Sequence, residues 1–386
     1  MNKIGFKKKI LVIPSNHEEW EDLNWIINLK KNQRKCRFYI YDTSSLYMDS
    51  IKIKTSEKIF KSINPFRSGF YYSSKLLKFL ITLLNAWNII KICHQHNIDI
   101  LFSATPSIFI RLSILFLKNS VNHISYLRSA YPVIDDLWSD SEKMYKYISK
   151  FNIPLASFIN PYSSDLFLVS GEANRVLLLY KGFPKNRIKI MGPAKLNSYR
   201  KKTKKINKSN QITIIYATQS FNHHNDNIGH HSQLVCLESL LEESYLSDHS
   251  INFILRIHPR DKISFYSRLI EKYKEFISIE NYNIESFLES VSSQRILVSS
   301  TSTLLFEWGY LGGKSYSIGT SEFIIKYRKF FDNVHLKPFS NAKYLLYSIV
   351  NNKNYISKNS INQLMSNSNK TEKWDDIFGK PLLIKS

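Results

Sequence analysis

Short apolar runs that end in polar residues alternate with longer helix-like patterns along most of this chain. In the second half, apolar runs at 212–217, 252–257 and 296–298 are each followed by a helical pattern. A strand, a helix and a second strand in succession form a parallel βαβ unit, so the alternation predicts α/β domains with parallel sheets. Ligands bind such sheets beyond the carboxyl ends of the strands, which makes the residues after each run the first candidates for function.

The same alternation extends over both halves of the chain. Further strands are expected at 10–13, 38–41, 100–102, 124–126, 166–169, 187–191, 277–280 and 315–318. Helices are expected at 72–96, 106–117, 233–243, 261–276, 284–291 and 303–311. A chain of 386 residues is long enough for two domains, each with its own core. The sequence therefore predicts two Rossmann-like domains.

A basic segment separates the two halves. Six of the nine residues from Arg200 to Lys208 are lysine or arginine, which is typical of a solvated linker and also suits contact with an acidic polymer or membrane. We expect an N-terminal Rossmann-like domain at 1–197, a linker at 198–210 and a C-terminal Rossmann-like domain at 211–340. The remaining residues, 341–386, are helical in pattern, and their position allows them to cross back onto the first domain. The turn at Gly192-Pro193 is the expected hinge.

The charge balance points to a negatively charged partner. The chain has 54 lysines and arginines against 31 acidic residues, a formal net charge of +23. Such an excess favours nucleic acid, an acidic membrane surface or an acidic polymer. No zinc module, RNA-binding sheet motif or basic recognition helix is apparent in the sequence, so we expect no nucleic-acid partner.

Cysteine content and hydropathy indicate the compartment. Three scattered cysteines are too few for a disulfide framework or a zinc site, which favours a reducing cytoplasm. The first nine residues are basic, but the apolar run that follows is too short for a signal peptide. Polar residues interrupt the most apolar stretch, 76–92, so we interpret it as a packed helix, with membrane-surface contact as the alternative.

Two polar motifs follow strands of the second domain and suit a phosphate. His258-Pro259-Arg260 supplies an imidazole and a guanidinium on a loop stiffened by proline. A run of five hydroxyl residues opens the helix predicted at 303–311, where unpaired N–H groups and the helix dipole favour an anion. These residues are Ser299, Ser300, Thr301, Ser302 and Thr303. A loop histidine without a catalytic role and an N-capping cluster are the alternatives.

These paired motifs in a basic chain with two Rossmann-like domains resemble bacterial sialyltransferases, in particular the polysialyltransferases of capsule synthesis. The resemblance covers mainly 212–319. It implies a GT-B glycosyltransferase fold, with the two domains facing each other across a cleft. It also implies that His258, Pro259, Ser299 and Ser300 hold the phosphate of a CMP-activated sialic acid. The chain has no Asp-x-Asp pair for a metal-bridged diphosphate, so we expect a metal-independent reaction without a cofactor, in which the CMP-sugar is a co-substrate.

The resemblance breaks off in the first domain. Those families carry an acidic-acidic-glycine motif that supplies the general base, and the matching strand end here has no such run. Asp135 and Asp136 follow a few residues later and are the nearest candidates for that base, with turn chemistry as the alternative. Arg128, at the same strand end, is a candidate for binding the acceptor.

Two more loops follow strands and carry polar residues. After the first strand of the chain, His17 is a candidate base, and Asn16 and Glu18 are candidates for acceptor binding, although a helix N-cap explains these residues equally well. After the strand at 212–217, Gln219 and Asn222 are candidates for donor contacts, against an ordinary polar loop. Adjacent histidine pairs in this loop rarely converge on one ion, so we expect no metal.

The leading hypothesis is an enzyme that moves a sialic acid or related nonulosonic acid from a CMP donor to an anionic bacterial surface glycan. We expect it in the cytoplasm, peripheral on the inner face of the membrane. The alternative is a GT-B transferase that uses CMP-Kdo, a UDP-sugar or a CDP-polyol. A nucleic-acid-binding protein and a non-catalytic subunit of a glycan-synthesis complex are the hypotheses from other classes.

Overall fold

A computed structural model gives the positions of most of the chain. The described residues are 7–14, 17–47, 57–64, 75–104, 107–117, 120–127, 164–180, 183–199, 211–222, 225–247, 249–280, 283–366 and 377–378. They form two compact units. The first includes most of the chain up to Lys195 and a C-terminal piece with Phe378, and the second runs from Leu196 to Asn367. Most of the expected linker, 200–210, lies outside the described residues.

Unit 1 is built on a parallel sheet of seven described strands. The strands are β1 Lys8–Ile13, β2 Cys36–Asp42, β3 Lys58–Lys61, β4 Ile100–Ser103, β5 Asn122–Leu127, β6 Leu166–Val169 and β7 Ile188–Ile190. Their order in the sheet is β3-β2-β1-β4-β5-β6-β7, and every paired neighbour is parallel. The helices are α1 His17–Ile27, α2 Lys30–Lys35, α3 Ser44–Tyr47, α4 Lys75–His96, α5 Ile108–Leu117 and α6 Glu172–Tyr180.

The two faces of this sheet are covered by different helices. On one face, residues such as Trp20 and Leu23 of α1 pack against Val12 and Phe102, and Phe378 from the C-terminal piece joins this core. On the other face, Ile81 and other residues of α4 pack with α5 against the strands. Burial of alternate strand residues on both faces explains the continuous apolar runs in the sequence.

Gly192 forms a turn after β7 that the sequence indicated. Its φ of 82° lies in the left-handed region, where glycine is favoured because it has no Cβ. Tyr126 at the end of β5 fixes this turn, because its hydroxyl accepts the N–H of Ala194 at 3.0 Å.

Unit 2 is built on a second parallel sheet. Its described strands are β8 Ile212–Ala217, β9 Ile251–Arg256, β10 Ile277–Ile279, β11 Arg295–Ser299 and β12 Lys314–Ser317. Their order is β10-β9-β8-β11-β12. The helices are α7 Leu196–Tyr199, α8 Asn227–Tyr245, α9 Ser267–Lys272, α10 Ile284–Glu289, α11 Thr303–Tyr310, α12 Ser321–Lys326, α13 Arg328–Asn333, α14 Ala342–Val350 and α15 Lys358–Leu364. Residues of α14, such as Leu345 and Ile349, belong to the core of this second sheet.

The expected strands are all present among the described residues, and the prediction of two Rossmann-like α/β domains is confirmed. The prediction of one helix at 261–276 was wrong. A 3-10 turn at Ile263–Phe265 precedes a short α9, and the hydroxyl of Tyr266 donates to the Asp261 carboxylate at 2.5 Å. This hydrogen bond holds Asp261 outside the helix. The sequence analysis also missed β3, a short edge strand whose residues are mostly exposed.

Candidate functional site

Three neighbouring strands of the second sheet end at one edge and carry the polar residues singled out in the sequence. The strands β9, β8 and β11 are adjacent and parallel, so their carboxyl ends share this edge. Beyond them lie His258, the pair Thr218-Gln219, and Thr301. The fold therefore brings the two predicted phosphate motifs to the same sheet edge, on the two loops that flank the β8 loop.

The β9 and β8 loops are joined at His258. The backbone N–H of His258 donates to Thr218 Oγ1 at 2.8 Å, and the Thr218 N–H donates to the Arg256 carbonyl at 2.9 Å. The His258 ring accepts the Arg260 N–H on Nδ1 at 3.1 Å. With Nδ1 as an acceptor, the neutral imidazole carries its proton on Nε2, so Nε2 is the hydrogen-bond donor of this ring.

The β8 and β11 loops are joined by the side chain of Gln219. Its Oε1 accepts the N–H of Thr301 at 2.8 Å, and its Nε2 donates to Thr301 Oγ1 at 3.2 Å. An amide that pairs with both the N–H and the hydroxyl of one residue fixes the distance between the loops. Gln219 was predicted as a donor contact, and the structure gives it this connecting role.

Behind the loops, Gln233 of α8 completes a closed circuit of hydrogen bonds. Its Oε1 accepts the Gln219 N–H at 2.6 Å, and its Nε2 donates to the Tyr266 hydroxyl at 2.7 Å. Tyr266 donates to Asp261, and the Asp261 N–H donates to the carbonyl of His258 at 2.8 Å. Burial raises the pKa of Tyr266, and the hydrogen bond to Asp261 raises it further, so the phenol keeps its proton. The circuit fixes the His258 loop relative to the β8 loop.

The hydroxyl run after β11 divides into inner and outer residues. Ser299 is fully buried and donates to the Ala217 carbonyl at 2.7 Å, and Ser300 is buried too, its carbonyl accepting from Ser317 at 2.5 Å. Ser302 caps α11 by accepting the Leu304 N–H at 3.3 Å, and Thr303 begins the helix. The hydroxyl of Ser299 is thus engaged within the sheet. Thr301 is also buried, against Gln219, whereas Ser302 and Thr303 are half-buried at the edge where α11 starts.

Positive charge accompanies these loops. The Arg256 guanidinium stacks over the ring of Phe287 at 4.2 Å. Burial lowers the pKa of Arg256, while the charge of Glu280 acts to raise it, and the guanidinium stays protonated at neutral pH. Pro259 and Arg260 are exposed on the same loop as His258. Cations beside a helix start are suited to bind an anion.

The β8 loop ends at Asp226, the N-cap of α8, whose ion pair with Lys326 we call the ion-paired cap. The carboxylate of Asp226 accepts the Gly229 N–H, the Lys326 ammonium at 2.7 Å and the Tyr327 hydroxyl. Burial acts to raise the pKa of Asp226, but these hydrogen bonds outweigh burial and lower the pKa below its usual range. Asn222, predicted as a donor contact, is exposed in the same loop.

Within the part of the chain that the structure describes, no three His, Cys, Asp or Glu side chains lie close enough to hold a metal ion.

Two of the candidate residues in the first domain are described. His17 and Glu18 are in the first turn of α1, directly beyond β1. Asn16, Arg128, Asp135 and Asp136 lie outside the described residues, so their predicted roles stay predictions.

Sequence analysis missed four residues of the circuit: Thr218, Gln233, Asp261 and Tyr266. Thr218 could have been found, because it is the first polar residue after β8. Gln233 and Tyr266 lie inside predicted helices and are far apart in sequence from the loops that they support, so no local pattern reveals them.

Several solved structures share the fold. An assigned UDP-N-acetylglucosamine 2-epimerase from Listeria monocytogenes has a TM-score of 0.60 and 11% identity, covering 93% of this chain and 91% of that one. UDP-GlcNAc 2-epimerase from Neisseria meningitidis bound to UDP-GlcNAc has a TM-score of 0.52 and 11% identity, with 89% and 100% covered. The glycotransferase of kitacinnamycin has a TM-score of 0.51 and 11% identity, with 89% and 90% covered.

No known family model matches the sequence, and no curated protein matches it significantly. At this level of identity the solved structures show the fold alone. They support the GT-B fold and do not single out sialyltransferases. The chain consists of two Rossmann-like parallel-sheet domains with the GT-B fold.

Proposed function

We propose that the protein is a nucleotide-sugar-dependent glycosyltransferase that builds a bacterial surface glycan. The observation that carries this proposal is the edge of the second sheet, where hydrogen bonds fix His258, Gln219 and Thr301 on adjacent loops. Anion-binding groups at the carboxyl ends of parallel strands are the usual place for a nucleotide in such folds. The N-terminal domain would bind the acceptor.

The chemistry follows from charge. When a glycosidic bond to a nucleotide breaks, negative charge grows on the leaving phosphate, and fixed donors nearby lower the barrier. His258 would donate from Nε2, and the helix dipole at the start of α11 would add positive potential. Arg256 and Arg260 would supply positive charge. Because the circuit holds these groups in place beforehand, little reorganisation is needed during the reaction.

Among donors, we place a UDP-sugar first and a CMP-activated sialic acid second, with CMP-Kdo and a CDP-polyol next. This order differs from the expectation based on sequence, because the solved structures with this fold include one named as bound to UDP-GlcNAc and one in complex with UDP. A UDP-sugar 2-epimerase is the second candidate function, favoured by the same names.

Two measurements separate these possibilities. A thermal-shift panel of UDP, CDP and CMP identifies the nucleotide, and a ligand at about 100 times its Kd stabilises a protein by about 2.7 kcal/mol. UDP-GlcNAc and CMP-sialic acid are then incubated with the protein, with and without acceptor glycans. A transferase releases nucleotide and adds the sugar to the acceptor glycan, whereas an epimerase changes the proton spectrum of the sugar and leaves the acceptor unchanged.

The His258→Ala variant is the control in both measurements. We expect it to keep its fold and lose turnover. If no nucleotide stabilises the wild-type protein and neither donor is consumed, the proposed function is wrong.

A further inference from the structure

The outer surface of α4 and α5 in unit 1 is apolar. Trp87 is 70% exposed, Leu76 71% and Phe116 73%. Single exposed apolar residues are ordinary, but a cluster on two neighbouring helices marks an interaction surface. We call the following set the apolar face: Leu76, Phe79, Leu80, Leu83, Leu84 and Trp87 of α4, and Ile108, Leu115 and Phe116 of α5.

The orientation of α4 is fixed, so this exposure is a property of the fold. Asn85 faces inward, where its Oδ1 accepts the Tyr41 hydroxyl at 2.6 Å and its Nδ2 donates to the Ile63 carbonyl at 2.8 Å. Ile81 and Ile89, on the same side of the helix, are fully buried against the sheet. The helix thus already has an apolar stripe for its core, and the outer stripe is additional.

The two helices that carry the apolar face pack directly against each other. The hydroxyl of Ser113 in α5 donates to the carbonyl of Ala86 at 3.2 Å, and Ala86 is the residue before Trp87 in α4. Along α4, the exposed stripe is apolar from Leu76 to Trp87 and becomes polar at Lys91 and His94. A surface with an apolar part and a cationic margin is typical of helices that lie in a membrane interface.

Charge decides which partner fits. Neither α4 nor α5 contains an aspartate or glutamate, and the exposed Lys91 lies at the end of the apolar stripe of α4. Anionic lipid attracts such a surface. A symmetric dimer through the same face would bring two acid-free, lysine-bearing helices together, which is unfavourable.

By length and composition, the helical stretch Leu76–His96 could cross a membrane. Its inner side is part of the unit 1 core, as Ile81, Asn85 and Ile89 show, so spanning would require that core to open. We propose that the apolar face docks onto the surface of an anionic bilayer, with α4 lying along the interface. The purpose of this docking rests on the proposed function, because a glycan-building enzyme would meet an acceptor held at the membrane.

Vesicle sedimentation of the full chain tests the docking. Vesicles of phosphatidylcholine alone are compared with vesicles that also contain phosphatidylglycerol. The variant Leu83→Gln/Trp87→Gln removes two apolar side chains without changing the charge. The matched control, Val235→Gln/Tyr245→Gln, removes two exposed apolar side chains from α8, where Tyr245 is 60% exposed.

We expect the wild-type protein and the control to sediment with the anionic vesicles, and the α4 variant to bind at least about tenfold more weakly. Circular dichroism and the thermal midpoint check the fold of both variants. Equal binding by the α4 variant and the wild type, or no binding by the wild type, would overturn the proposal. So would a concentration-dependent dimer that the α4 variant abolishes while vesicle binding is missing.

Turnover of soluble donor is measured on the same preparations. Vesicle binding without any nucleotide binding would defeat the proposed function and leave the docking surface intact. Nucleotide turnover without vesicle binding would do the reverse.

Discussion

The two units are built alike and differ in where they place residues that folding does not need. Each is a parallel sheet with a long helix packed against it, α4 in unit 1 and α8 in unit 2. Away from the sheet, α8 exposes two large apolar side chains, Val235 and Tyr245, among polar ones such as Glu242, whereas α4 exposes six large apolar side chains. At the strand ends, unit 2 has a closed hydrogen-bond circuit around His258.

The packing of the core does not determine which residues occupy the outer face of a helix or the loops at a sheet edge. Both helices pack apolar residues against the sheet beneath them. The surplus apolar side chains of α4 and the surplus polar side chains at the unit 2 edge therefore point to two different tasks, membrane contact and anion binding. Variants that affect one task and leave the other unchanged would separate the two tasks.

The largest effect is expected for His258→Ala. Loss of the Nε2 donor at the leaving phosphate should lower kcat by a factor of about 10² to 10⁴ and leave vesicle sedimentation unchanged. The matched control is His231→Ala, which removes an exposed histidine from α8. A His258→Ala enzyme with full turnover would show that the unit 2 edge has no catalytic role.

The next effect is expected for Gln233→Ala, which opens the circuit. Its removal leaves the Gln219 N–H and the Tyr266 hydroxyl without their shared partner in a buried environment, which should destabilise the protein by about 1–3 kcal/mol. Nucleotide affinity should fall as well, because the β8 loop is no longer held. Chemical denaturation and a nucleotide titration measure the two changes, with the exposed Gln95→Ala in unit 1 as control.

A smaller and pH-dependent effect is expected for Asp226→Asn. The pKa of Asp226 is lowered in the folded state, so its contribution is present above the ordinary aspartate pKa of about 3.9 and is lost as the pH falls through the folded value. At neutral pH the free energy of unfolding of the variant should be about 1–2 kcal/mol lower than that of the wild type. Its thermal midpoint should also fall less steeply than that of the wild type below about pH 4.

The control for this pH series is Glu271→Gln. Its partner Lys274 is 3.9 Å away, and both side chains are exposed, so the free energy of unfolding should hardly change. If the thermal midpoints of Asp226→Asn and the wild type fell equally with decreasing pH, the charge of the ion-paired cap would contribute nothing to stability.

Sequence reasoning found the architecture because parallel strands buried on both faces leave clear apolar runs, as at Ile212–Ala217. It also predicted that His258 and Thr301 follow strands of one sheet, and in the structure both lie at the same edge of that sheet. It could not separate Ser299, Ser300 and Thr301, which are buried, from Ser302 and Thr303, which are half-buried, because the packing around the end of β11 decides that. The circuit through Gln233 and Tyr266 was not predicted, because side-chain pairs between residues far apart in sequence leave no local sequence pattern.

The smallest effect is expected for Lys91→Ala at the cationic margin of the apolar face. One lysine near an anionic bilayer contributes about 1 kcal/mol, so binding to phosphatidylglycerol vesicles should weaken about fivefold at low salt and less at high salt. Binding to vesicles of phosphatidylcholine alone should not change, since the apolar side chains remain. Lys353→Ala, which removes an exposed lysine from unit 2, should change neither. Equal losses from Lys91 and Lys353 would mean that the net charge of the whole chain attracts the lipid, and that the α4 face has no special part in it.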